Sequence, residues 1–396
     1  MSQSEVFQAA TNHPPNRARL RLDYLDGLRG LAAIYVVVYH IYVDMSAQLQ
    51  TVAHSSVWVT LVQAVLSHGR TSVAAFIVLS GYCLMLPVAR SPDGQLTGGW
   101  VRYLRRRARR ILPPYYAALV LSLLVAIVIP THWLPLMGEQ WNHGQPALNP
   151  GAIVSHVLLL HNWSHTWEYR INPPMWSVAL EWQIYFLFPL LLLPIWRRLG
   201  TVAVTAIACA VPLLVRVLLH NSGGNALVYV ALFTLGMAGA AIGFSPQPTL
   251  QRYRTTVPWN PLALLWVALW LVLVSSDTID VTTVDQLVGP AVVCLIIACS
   301  AARTDGNVNP CLRLFEWRWA TRVGAFSYSL YLTHALVLGV VELCLSGLSL
   351  SPLVKLVVLI AIVVPSAIGF AYLFHVLFER RFLSHAPAKQ VSEPIK

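Results

Sequence analysis

Long apolar runs alternate with short polar connections along nearly the whole chain. Each run is roughly 20 residues, the length an α-helix needs to cross a bilayer's hydrocarbon core. The pattern predicts ten spans, at about 25–45, 69–88, 111–130, 176–196, 201–219, 226–244, 259–275, 286–302, 323–345 and 353–378. The expected fold class is all-α, a polytopic integral membrane protein. One membrane domain is expected over 23–380, between tails 1–22 and 381–396. Segment 46–68 predicts an amphipathic helix over 57–66. Segment 131–175 is rich in Trp, His, Asn and Pro, and its apolar run 151–161 is too short to span, so it belongs at an interface or re-enters.

Composition agrees: 57% of the 396 residues are hydrophobic and 11% charged, and the mean hydropathy is +0.62. The net charge of +11 raises the question of nucleic acid, but the cations lie at the ends of apolar runs rather than in a basic soluble domain. Arg17, Arg19 and Arg21 precede the first span, and seven arginines from Arg90 to Arg110 separate the second from the third. Arg197, Arg198, Arg252, Arg254, Arg303, Arg313, Arg318, Arg322, Arg380 and Arg381 fall on that same side. The opposite side keeps Arg70, Arg170, Arg216 and Lys355. The positive-inside rule then predicts cytoplasmic termini, with membrane lipids and no nucleic acid as partners. Of 27 basic residues 24 are Arg, which suits a phosphorylated ligand. The six cysteines lack metal-ligand spacing and mostly sit in apolar runs, so neither zinc nor structural disulfides are expected. The first apolar run has no small-residue cleavage site and reads as a retained span.

Chemistry-bearing residues interrupt these runs. Arg29 and His40 are eleven positions apart in the first, three helical turns and roughly 16 Å along one face. Together they would look into one cavity. A snorkelling arginine and a satisfied buried histidine are the plainer reading. Ionisable groups are costly in hydrocarbon and tend to mark a functional path, and imidazole suits general base work. The stretch from Arg102 to Tyr115 carries Arg106, Arg107 and Arg110 ahead of Pro113 and Pro114, which suit the first turn of the third span. It is either a topology signal and lipid contact or a cradle for phosphate oxygens. In the fourth span Ser177, Glu181 and Tyr185 share a face at four-residue spacing. Glu181 would be a structural ion-pair partner, an orienting partner of His40, or an acceptor ligand. Ser80 and Gly81 serve close helix packing or a site. Tyr331 and His334, three apart in the ninth span, face the interior, and His334 is a second candidate base.

Taken together these segments resemble the acyltransferase-3 family of integral membrane acyltransferases. The matches run in the family's order: Leu25-Asp-Gly-Leu-Arg29-Gly with His40; Phe76-Ile-Val-Leu-Ser80-Gly-Tyr; Arg107-Ala-Arg-Arg110-Ile-Leu-Pro-Pro-Tyr115; Trp176-Ser177-Val-Ala-Leu-Glu181-Trp-Gln-Ile-Tyr; and Ser327-Tyr-Ser-Leu-Tyr331-Leu-Thr-His334. They cover residues 24 to about 335. Tyr82 and Ala179 depart modestly from the family's pattern without removing a polar group. The resemblance implies transfer of an acyl group, most often acetyl, from cytoplasmic acetyl-CoA or another acyl-CoA to a hydroxyl of a carbohydrate or glycoconjugate.

On that reading Arg29, His40 and Glu181 are the catalytic candidates. Arg106, Arg107, Arg110 and Tyr115 would hold the nucleotide, and Ser80, Ser177, Tyr331 and His334 would meet substrate. His40 would act as general base or as transient acyl carrier, Arg29 would support the thioester end, and no metal is required. Two other classes use buried His, Glu and Arg: a secondary transporter or flippase of a sugar-linked or lipid substrate, and a catalytically dead scaffold. A transporter predicts Gly/Pro-broken helices in matched halves, a symmetry this sequence lacks, and it leaves the arginine cluster unexplained. Intact Arg29 and His40 disfavour the scaffold, and the motifs do not look like those of the other large membrane O-acyltransferase family. The acceptor, the acyl length and any homo-oligomer stay open.

Overall fold

The structure is a computed structural model that describes residues 22–53, 57–130, 132–138, 148–219, 225–274, 287–305 and 309–383. The tails 1–21 and 384–396, and Trp141 and His143 of the long connection, lie outside the described residues. Those described form helices and turns, with no strand among them.

Helix α1 (Asp23–Ala53) opens with Asp23 and Asp26, acidic groups favoured by the partial positive charge of a first turn. The helix expected over 57–66 is α2 (Val57–Leu66), and α3 (Arg70–Ala89) follows. Helix α4 (Gly99–Val128) corrects one expectation. Pro113 and Pro114 lie inside it rather than in its first turn, so the arginine cluster is helical and continuous with the span. Each proline removes one helical N–H donor, a local loss that packing on the rest of a 30-residue helix outweighs. The run at 151–161 supplies α5 (Pro150–Val157), eight residues long. The Asn149 side chain caps it by accepting from the Gly151 and Ala152 amides, with Pro150 at the first position.

Helix α6 (Met175–Leu187) passes through one π turn, Phe188–Leu192, into α7 (Leu193–Leu219), which breaks at Gly200 with φ 80°. Next come α8 (Asn225–Phe244), α9 (Pro248–Thr256), α10 (Trp259–Val274), α11 (Val288–Asp305), α12 (Pro310–Phe315), α13 (Arg318–Gly324), α14 (Ser327–Leu345) and α15 (Pro352–Phe374). Seven helices among the described residues are long and apolar enough to cross a membrane, or eight if α9 and α10, bent by 68°, form one span. The runs expected at 176–196 and 201–219 share one stretch, Met175–Val215, and that at 286–302 is a shorter apolar helix, Val288–Arg303.

Glycines set how closely α1 and α3 are held. Gly27 and Gly30 lie against the Phe315 and Ala320 carbonyls, so α1 packs on α12 and α13 almost backbone to backbone. Gly81 lies against the Phe233 carbonyl in the same way, where α3 crosses α8. In lipid, where water does not drive helices together, such close van der Waals contact is what associates them. A second tie closes α14 on the π turn His375–Glu379 that follows α15, where Ser329 donates to the buried Glu379 carboxylate at 2.6 Å.

Candidate active site

Two cavities open along α1. The first, about 270 Å³, is lined by Arg29 of α1, Ser80 of α3, Arg107 and Arg110 of α4, Ser177, Glu181 and Tyr185 of α6, and Tyr328 and Tyr331 of α14. Three guanidiniums face one carboxylate there. Arg29 pairs with Asp26 at 3.5 Å and donates to Cys83 Sγ at 3.2 Å. The buried Nε of Arg107 has no hydrogen-bond partner among the described residues. An orphaned guanidinium donor on a cationic wall suits an anionic ligand, because unmet buried donors are rare and costly. Tyr185 donates to Glu181 and lies 3.1 Å from Ser80 Oγ, while Ser177 Oγ is 2.6 Å from Tyr331 OH. The Ser177–Glu181–Tyr185 face therefore points into this cavity, as its spacing predicts.

The second cavity, about 550 Å³, lies further along α1. Its lining includes Tyr39, His40, Arg70, Tyr169, Pro173, Pro174, Trp176 and Tyr331. Val73 and Tyr331 line both spaces. Arg29 and His40 thus share a helix face but open into two adjoining cavities rather than one. Val73 and Tyr331 stand at the junction. Gly69 faces the Tyr39 ring, whose edge meets His40 with centroids 5.1 Å apart. The segment carrying Tyr169 is pinned at both ends. Leu159 (φ 54°) and Ile171 (φ 65°) are forced into the left-handed region and held there by burial. Asn172 donates to Ser122 Oγ at 3.1 Å and to the Leu332 carbonyl at 3.0 Å.

Behind His40 sits His334, fully buried and lining neither cavity. Its Nδ1 is 2.8 Å from the Tyr331 carbonyl and 3.2 Å from that of Leu330, and its Nε2 is 3.0 Å from His40 Nδ1. His40 Nδ1 is also 3.0 Å from the Val36 carbonyl. Of the three roles open to Glu181, direct pairing with His40 is not formed, since Glu181 lines the other cavity. Arg106 and Tyr115 are not brought to either space. Arg106 donates to the Thr97 carbonyl at 3.2 Å, and Tyr115, buried, donates to the His156 carbonyl at 2.9 Å. Sequence reasoning missed Arg70, Tyr169 and Trp176 as lining residues. Arg70 was visible only as one of few cations on the side away from the termini.

Seven or eight apolar helices of spanning length among the described residues make this a multi-pass membrane protein, with two adjoining cavities along α1. The acyltransferase-3 family, whose description is an acyltransferase domain, matches residues 22–376, and the chain belongs to this family. It is similar to acyltransferase MdmB of Streptomyces mycarofaciens, 29% identical over 256 residues, which cover 64% of this chain and 53% of that one. It is also similar to peptidoglycan O-acetyltransferase OatA of Listeria monocytogenes serovar 1/2a, 25% identical over 176 residues, 43% of this chain and 24% of that one. The matches therefore span about half the length of the first relative and about a quarter of the second. No solved structure matches the chain.

Proposed function

We propose that the protein transfers an acyl group, acetyl by default, from acyl-coenzyme A to a hydroxyl of a carbohydrate or glycoconjugate, with His40 as the base. The observation that carries this reading is the His40–His334 pair. Carbonyls cannot donate, so His334 Nδ1 must carry a proton to bond those of Leu330 and Tyr331. In the neutral ring Nε2 is then an acceptor, and His40 Nδ1–H donates to it and to the Val36 carbonyl. That assignment leaves His40 Nε2 with its lone pair as the proton acceptor in the second cavity. His334 acts as a positioning residue, in the place a carboxylate often takes.

The first cavity fits the donor: Arg107 and Arg110 match phosphate oxygens as guanidinium forks, and the orphaned Arg107 Nε needs an anion. The arginine clusters support cytoplasmic termini and therefore donor entry from that side. His40 takes the hydroxyl proton as the oxygen attacks the thioester carbon. The carbon–sulfur bond breaks, and the thiolate leaves with the proton that His40 returns. Arg29, on the wall of the first cavity, borders the path by which the donor's thioester arm reaches His40. A transient acyl group on His40 Nε2 would use the same tautomer. Glu181, bonded by Tyr185, balances the guanidiniums and orients that wall. The name of OatA attaches an O-acetyl group to peptidoglycan, which supports a glycan hydroxyl as acceptor.

The test is acetyl-coenzyme A turnover by purified protein. His40→Ala is expected to lose about 10²–10⁴ in rate while still inserting in the membrane, the range for removing a general base. Turnover at the wild-type rate would overturn the proposal.

A further inference from the structure

Among the described residues Arg70 is the one Lys, Arg, Asp or Glu side chain that lines the second cavity, which His40 also lines. Helix stability does not explain it. Arg70 is the first residue of α3, where the partial positive charge of the N-terminus disfavours a cation. Ion pairing does not explain it either: among the described residues Arg70 hydrogen-bonds the Tyr39 side chain, and no salt bridge joins it to a carboxylate. Glu168 lies within reach of its charge but is hydrogen-bonded to Tyr169, and burial holds the Glu168 carboxyl above the usual carboxylate range. The rest of the wall is largely apolar: Tyr39, Tyr169, Trp176 and Tyr331 line it beside three valines, and Pro173 and Pro174 stiffen the rim.

We propose that the second cavity binds an acceptor that carries an anionic group, a carboxylate or a phosphate, and that Arg70 holds this group while a neighbouring hydroxyl faces His40. The proposal rests on the acyl-transfer reading above and narrows it to a class of acceptor. Three features point one way: a guanidinium fork, the positive end of a helix, and a cavity of about 550 Å³ with aromatic walls for a sugar ring. The charged group gives orientation as well as affinity, because it sets which hydroxyl reaches His40.

Binding is measured on the full chain in nanodiscs of zwitterionic lipid, through intrinsic tryptophan fluorescence, with Trp176 lining the site. The probes are methyl β-D-glucuronide, glucose 1-phosphate and methyl β-D-glucoside. Wild type is expected to bind at least one charged probe about tenfold or more tighter than the neutral one, as a charge-assisted pair in a half-buried site provides. Arg70→Gln should abolish that advantage and Arg70→Lys should keep part of it. The carboxylate and phosphate arms decide which anion is preferred. Equal affinity for all three probes, binding of none, or an advantage that survives Arg70→Gln would overturn the proposal. Transfer assays on the same preparations separate the two readings. A binding preference without acyl transfer to any acceptor defeats the acyl-transfer reading alone. Equal transfer to charged and neutral acceptors defeats the anion proposal alone.

Discussion

Removing His334 should slow acyl transfer by far less than removing His40, and the structure says by how much. His334→Ala deletes one acceptor, Nε2, at 3.0 Å from His40 Nδ1. It does not leave that N–H bare, because the Val36 carbonyl, also at 3.0 Å, still accepts from it. The loss is then one neutral hydrogen bond and the ring that backs His40, about 1–2 kcal/mol. That corresponds to a fall in kcat of roughly five- to thirtyfold. Losing the base itself costs about 10²–10⁴. His334→Gln, whose side-chain carbonyl can accept from Nδ1–H, should recover most of the rate. The assay is steady-state acetyl-coenzyme A turnover with kcat separated from KM, since a positioning loss lowers kcat and spares donor KM. A loss as large as that of His40→Ala would refute the purely positioning role of His334. An unchanged rate, or a Gln variant as impaired as Ala in equally stable protein, would refute the tautomer argument.

Further outcomes follow from the same geometry. Arg110→Ala should weaken acetyl-coenzyme A binding about tenfold or more, whereas Arg106→Ala, whose guanidinium turns outward to the Thr97 carbonyl, should leave it within about twofold; equal effects in a donor titration would return the whole cluster to a topology role. Gly81→Val would drive a side chain into the Phe233 carbonyl and part α3 from α8, at a cost of about 2–3 kcal/mol or more; an unchanged thermal midpoint in detergent would show that contact to be slack. His156 and His161 stack at 3.8 Å outside the spanning segments. Burial lowers them to about 4 and about 3, and His161 is lowered further by its neighbour's charge. The unfolded chain therefore binds more protons between pH 6.5 and those values, so stability is lost as pH falls, about 2 kcal/mol per ring by pH 5. Midpoints that do not drop from pH 7 to 5, or that drop equally in a His156→Phe/His161→Phe variant, would contradict this.

Much of the architecture was legible because the bilayer allows so few solutions. Without water to satisfy backbone groups, an apolar run of spanning length is a helix, and the runs over α1, α3, α8, α14 and α15 lie where hydropathy predicts. Periodicity also placed Ser177, Glu181 and Tyr185 on one face, since a four-residue spacing on a helix leaves little choice. The misreadings have physical causes. Pro113 and Pro114 read as a helix start because proline tolerates a first turn best, yet packing along a 30-residue helix absorbs two missing donors. Arg106 and Arg107 are adjacent in sequence but about 100° apart around a helix, so one turns to the Thr97 carbonyl and the other to the cavity.

What the amino-acid order determined by itself is the set of helices, their polar interruptions and the family they belong to, because period, length and motif are local properties. Only the tertiary structure decided which interruptions meet. Val73 and Tyr331 part the space along α1 into two cavities. His334 arrives at His40 from 294 positions away, and Arg70 reaches the same chamber because α3 begins beside it. Those meetings depend on how closely helices cross, which the glycine contacts of α1 and α3 set and which no spacing within one helix can express.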